Sequence, residues 1–154
     1  MAVPNRLSKI TGSWAGVTRL WLTPDENVQE SETHAVIGLV AQGKFINLQY
    51  TWAYEGQPQE GLLIVGRQQK ESDISVFWID SFHMDDAYMI LKGTSTENGG
   101  ISVLGSYSVA ESPEWGWRII VDPQENGKFL LKMFNISPEG QEYRAVEAEY
   151  SRNV

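Results

Sequence analysis

The residues with the widest chemical range in this chain sit together: Asp80, Ser81 and His83 bring a carboxylate, a hydroxyl and an imidazole to one short stretch. Those are the three groups of a hydrolytic triad, in which the carboxylate must stand behind the imidazole and the hydroxyl in front of it. Side chains alternate along an extended strand, so Ser81 and His83 share a face and Asp80 points the other way. No Gly-x-Ser-x-Gly elbow or other nucleophile motif accompanies them. The stretch therefore reads as a polar strand end whose side chains satisfy turn backbone. A second use is kept open, in which His83 and Asp80 stand at the mouth of an enclosed interior and hydrogen-bond a ligand.

Glu30, Glu32 and His34 alternate and so share a strand face. Successive same-face side chains are about 7 Å apart, which converges poorly on one metal ion without help from another strand. They read as a solvated outer face, and His83 with Asp85 and Asp86 is no better as a ligand set. No metal is expected. Arg118 lies among Trp115, Trp117, Ile119 and Ile120, opposite in face to the two tryptophans. Were its face the interior, the guanidinium would need an anionic partner, and a ligand carboxylate would serve. Were it the exterior, an acidic neighbour would suffice. Tyr50, Trp52, Trp78 and Trp117 complete the candidates: such residues form core, and where strands enclose a space, core and cavity wall are the same positions.

The elements that must position these groups are short strand-like runs cut by turn residues. A helical turn over Asn5–Ile10 precedes runs at Gly12–Leu22, Val28–Val40, Lys44–Glu55, Glu60–Lys70 and Asp73–Phe82. Runs at Ala87–Thr94, Ile101–Ala110, Trp115–Val121, Lys128–Ile136 and Glu142–Arg152 follow. Asn98-Gly99 and Asn126-Gly127 are hairpin signals, because these residues tolerate positive φ. Regular spacing of many short strands indicates an antiparallel sandwich or barrel, and no stretch of helix length carries a 3.6-residue period. Ile46, Leu48, Tyr50, Trp52 and Tyr54 form the clearest single face; Ile74, Val76, Trp78, Asp80 and Phe82 form a second, and Trp115, Trp117, Ile119 and Val121 a third, each a candidate inward face.

Composition bounds the function. The 154 residues suit one domain spanning 1–154, and 42% hydrophobic against 21% charged residues is a globular balance. A net charge of −8 opposes nucleic acid and anionic membranes, since binding to either rests on cations. The absence of cysteine removes disulfides, thiolate nucleophiles and Cys-based metal sites. Met1 to Leu7 lacks the apolar core of a secretory signal, and no apolar run is long enough to span a bilayer, so a cytoplasmic location is expected.

Gly12-Ser13-Trp14-Ala15-Gly16, directly after the helical turn, resembles the Gly-x-Trp opening of lipocalins and other calycins. That resemblance implies a single antiparallel up-and-down β-barrel of eight to ten strands, with Trp14 closing one end. It also implies an Arg from the last strand across the Trp ring, a contact with cation–π character. Arg152 is the first candidate for that Arg and Arg144 the second. The runs Ile79-Asp80-Ser81-Phe82-His83-Met84, Gly116-Trp117-Arg118 and Glu149-Tyr150-Ser151-Arg152 resemble, in order over roughly Leu7 to Arg152, a bacterial family of uncharacterised proteins, DUF1579. The resemblance implies the same barrel and brings no established activity. Nitrobindin-like haem barrels share the Gly-x-Trp opening but ligate iron through a late His, and no His follows His83 here. No cofactor is expected.

The residues thus point to a binding module whose barrel takes up a small apolar or amphipathic ligand through Tyr50, Trp52, Trp78, His83, Trp117 and Arg118. Two alternatives stand beside it: an enzyme acting on a hydrophobic substrate with His83 and Asp80 as acid and base, and a homodimer with a filled barrel joined through an outer aromatic face. Sequence alone leaves open whether the interior is a pocket or a packed core.

Overall fold

The structure, a computed structural model, describes residues 5–67 and 73–153. After a helical turn, α1 (Asn5–Ser8), ten strands follow. They are β1 (Gly12–Leu20), β2 (Gln29–Val40), β3 (Phe45–Tyr54), β4 (Gln57–Arg67), β5 (Ile74–Asp80), β6 (Met89–Ser95), β7 (Ile101–Tyr107), β8 (Trp115–Pro123), β9 (Phe129–Ile136) and β10 (Glu142–Arg152). Each pairs antiparallel with its neighbour in sequence, and β10 pairs with β1, so the sheet closes into a barrel without an edge.

The turns account for the register. Gly99 and Gly127 carry the positive φ that the two Asn-Gly signals require. Between β3 and β4 the break expected between the Lys44–Glu55 and Glu60–Lys70 runs is shorter. Glu55 and Gly56 both adopt positive φ, 49° and 79°, and the Tyr54↔Gln57 and Ala53↔Pro58 pairs follow at once. A two-residue turn with both central residues left-handed matches strand twist, so the strand resumes immediately. The end of the fourth sequence run, Gln68 to Lys70, lies outside the described residues.

Alternation sorts the side chains as expected. Ile46, Leu48, Tyr50 and Trp52 of β3, Ile74, Val76, Trp78 and Asp80 of β5, and Trp117, Ile119 and Val121 of β8 are buried. In β10 the register shifts between Arg144 and Val146, and the extra residue lets consecutive Ala145 and Val146 both be buried. Val36, Phe45, Ile79, Ile90 and Leu104 remain exposed on the outer face.

One end of the barrel is shut by the N-terminal turn. Leu7 and Ile10 are buried, and the Trp14 indole donates to the Ile10 carbonyl at 2.8 Å. The Trp14 ring meets Phe129 edge-on with centroids 4.8 Å apart, and Phe129 stacks on Tyr150. Arg152 lies over Trp14, its Cζ 4.3 Å from the ring centroid, and its guanidinium donates to the carbonyls of Lys9 and Thr11. Arg144 covers a different ring, that of Trp21.

Candidate functional site

The far end of β9 from Phe129 is where the chemistry collects. β5 stops at Asp80 because that carboxylate turns the backbone: its Oδ1 accepts from the amides of Phe82 and His83 at 2.8 and 3.0 Å. An Asx-type turn of this kind ends a strand by offering its amides a closer acceptor than the ladder. Oδ2 accepts from the Tyr50 hydroxyl at 2.6 Å, and that hydroxyl in turn accepts from the Trp78 indole at 3.0 Å. Gly61 makes the network fit, since a Cβ there would lie 2.2 Å from the Tyr50 hydroxyl.

The turned chain then re-enters the barrel mouth. Phe82 packs on Trp52 and Tyr54, with centroids 5.2 and 4.8 Å away. The His83 ring lies against Trp52, Trp78 and Trp117 at centroid distances of 5.8, 6.0 and 5.3 Å. Burial pulls the His83 pKa below its usual value, and the nearby Asp80 charge offsets this only in part. A proton on the unfolded chain's imidazole therefore favours unfolding. Stability is expected to fall as pH drops through about 6.5, the unfolded value, towards the lower folded value. Thermal midpoints at pH 7.5 and 5.5 should differ less in His83→Phe than in the wild type, and equal pH dependence in both proteins would refute the assignment.

No triad forms. Ser81 points outward, where its hydroxyl donates to Gln59 Oε1 at 2.7 Å and accepts from the Glu60 amide. His83 does not share its face, because the strand ends at Asp80 and the alternation rule ends with it. Both Asp80 oxygens are engaged, and the residue is only 3% exposed.

Among the described residues the barrel axis is filled with buried side chains. Between Thr18, Tyr50, Trp52, His83 and Tyr150 there remains a void of about 10 Å³, room for about one water. Tyr150 shares a hydrogen bond with Thr33 at 2.9 Å, and burial pushes its pKa up to about 12. A cleft of about 210 Å³ lies on the other side of His83. Trp78 and Trp117, stacked at 5.3 Å and 10°, form one wall; Met84 and Met89 form another; Tyr107 and Asn135 supply polar atoms. A larger depression of about 540 Å³ lies open on the outer surface, between Val36, Leu62, Ile79 and the segment Asp85–Ala87.

The six expected binding residues therefore separate. Trp78, His83 and Trp117 line the cleft; Trp52 lines the small void, and Tyr50 lines both that void and the outer depression. Arg118 must be corrected in its interior alternative: it faces outward, with Nε 3.0 Å from Glu142 Oε1 and Nη1 3.2 Å from Ser102. Its alternation with buried Trp117 and Ile119 puts it there. Glu30, Glu32 and His34 stay on the exposed face of β2, Glu30 paired with Arg19. Among the described residues no group of three or more His, Asp or Glu is placed to hold a metal ion.

Sequence reading missed Tyr107, Asn135, Met84 and Met89. Asn135 carried a signal: it follows Phe129, Leu131 and Met133 at inward spacing, and a polar residue at an inward position needs a partner. That partner is Tyr107, two strands away, whose hydroxyl donates to Asn135 Oδ1 at 2.5 Å.

Comparison with known proteins adds the following. Residues 3–152 match the profile of a family described as "Protein of unknown function (DUF1579)". No curated protein matches. A solved structure, described as the crystal structure of Rv2717c from M. tuberculosis, is similar in fold with a TM-score of 0.65. It shares 15% identity, and the alignment covers 97% of this chain and 96% of that one. Among the described residues no helix is long and apolar enough to cross a membrane.

Proposed function

The chain belongs to the DUF1579 family, and from the geometry of its barrel mouth we propose that it is a cytoplasmic, calycin-like binding protein for a small apolar or amphipathic molecule. The site is the cleft beside His83 rather than the barrel axis, because the axis is filled with side chains. The observation that carries the reading is the Trp117 indole N–H, buried in the cleft wall without an acceptor among the described residues. A buried donor left unmade costs about 1–3 kcal/mol, so native proteins leave few of them. A ligand in the cleft would cover the apolar walls and, once a neighbouring side chain moves aside, supply the acceptor.

The enzyme alternative has less behind it. Asp80 is committed to Tyr50 and to the turn amides, which suits it to holding Phe82 and His83 in place and leaves it poorly placed to move protons.

Two of the six tryptophans line the cleft, so its occupancy should be visible in intrinsic fluorescence. Titration with octanoate, naphthalene and coumarin is expected to give saturable quenching for at least one of them. Met84→Trp, which places a large side chain in the cleft, should abolish it. No saturable response from any of the three, or an unchanged response in Met84→Trp, would overturn the reading.

A further inference from the structure

The cleft's polar atoms are unequal in kind, and that inequality specifies what would bind. Trp117, only 5% exposed, has an indole N–H with no acceptor among the described residues. Asn135 Oδ1 accepts a hydrogen bond from the Tyr107 hydroxyl, which leaves its amide N–H₂ group, without a side-chain acceptor among the described residues, as the donor. Among the described residues no Asp, Glu, Lys or Arg lines the cleft. Its two titratable members are His83 and Tyr107; burial lowers the first and raises the second, and both changes favour the uncharged form. The walls are flat, formed by the stacked Trp78 and Trp117 rings and the His83 ring.

We infer that the cleft is selective for a small, flat, uncharged ring that carries a carbonyl-type acceptor, which takes hydrogen bonds from Trp117 and Asn135. This rests on the cleft being a ligand site at all and adds its chemical preference. A cleft of about 210 Å³ suits one or two fused rings better than a long acyl chain. A carboxylate would enter without a countercharge, since Arg118 points outward to Glu142. Trp117 Nε1 is shut off from solvent, so the ligand's acceptor must displace a neighbour to reach it. Met84 and Met89, which line the same cleft, are unbranched thioethers that repack easily.

Naphthalene, coumarin and 2-naphthoate share size and flatness but differ in acceptor and charge. Area burial alone would rank naphthalene first, because it is the most apolar of the three. The inference predicts the reverse: coumarin binding about tenfold tighter than naphthalene, from one or two neutral hydrogen bonds, and 2-naphthoate weakest. Trp117→Phe keeps an aromatic wall and removes the donor, so it should bring coumarin to within about twofold of naphthalene while naphthalene itself still binds. Asn135→Leu should narrow the same gap independently of any effect of the Trp117 change on folding. Equal affinities for coumarin and naphthalene in the wild type would overturn the preference and leave the cleft as an unselective apolar site. Tightest binding of 2-naphthoate would overturn the neutrality. Saturable binding of octanoate alone would overturn the ring preference, whereas silence from every probe would also remove the binding function beneath it.

Discussion

Asp80→Ala is expected to lower the thermal midpoint by about 9 °C, from a loss of roughly 3 kcal/mol in a chain of 154 residues. The physical reason is the number of donors that one side chain satisfies. Removing it strands the Tyr50 hydroxyl and the amides of Phe82 and His83. Hydrogen bonds to a charged acceptor are among the stronger ones, and the Tyr50 contact is short at 2.6 Å. Relief from burying a carboxylate offsets part of the loss, which is why the figure is below the sum of three bonds. The same change should release the segment that carries His83. Hydrogen exchange at the Phe82 and His83 amides should therefore rise more than that of the β3 amides. Tyr50→Phe breaks one bond to Asp80 and the one from the Trp78 indole, and should cost less; the double variant should cost less than the two singles summed, because they share a network. A loss below about 1 kcal/mol in Asp80→Ala would mean that packing, not this carboxylate, holds the mouth.

Trp14→Ala is expected to cost about 4 kcal/mol, or about 12 °C, whereas Arg152→Ala should cost about 1 kcal/mol. Trp14 is 1% exposed, packs on Phe129 and holds Ile10 through its indole N–H, so its removal opens a cavity and frees the N-terminal turn. Arg152 is exposed, and its contact with the ring is shared with water. Its two carbonyl contacts at Lys9 and Thr11 are to exposed backbone that water would serve as well. Chemical denaturation of the two variants measures both figures. Equal losses would mean that the cation, not the buried ring, secures this end of the barrel.

Much of the barrel was legible because its causes are local. Alternation in Ile46, Leu48, Tyr50 and Trp52 assigned the inward face of β3 without knowledge of any partner strand. The Asn-Gly pairs announced their turns through the conformations those residues tolerate. The same rule put Arg118 and Trp117 on opposite faces, but it could not say which face was inside, since that depends on which strands close around which.

The site was harder to read, and the reasons are specific. His83 leaves strand geometry one turn after Asp80, and Asp85 beyond it adopts a φ of 54°, so a two-residue period says nothing about where the ring goes. The cleft draws on β5, β6, β7, β8, β9 and the 81–88 segment, residues that meet only after the barrel has closed. Tyr107 and Asn135 are bonded to each other across β8, a relation that no spacing along the chain encodes.

What the amino-acid sequence determined by itself was therefore the repeating part: strands, turns, an inward apolar face, and a Trp near the first strand's start. These follow from backbone and side-chain preferences acting over a few residues. Whether the interior was a pocket or a core was decided only by the tertiary structure. There the Asp80 turn brings Phe82 and His83 back into the mouth, filling the axis and leaving a cleft beside His83 where the Trp117 donor lacks a partner.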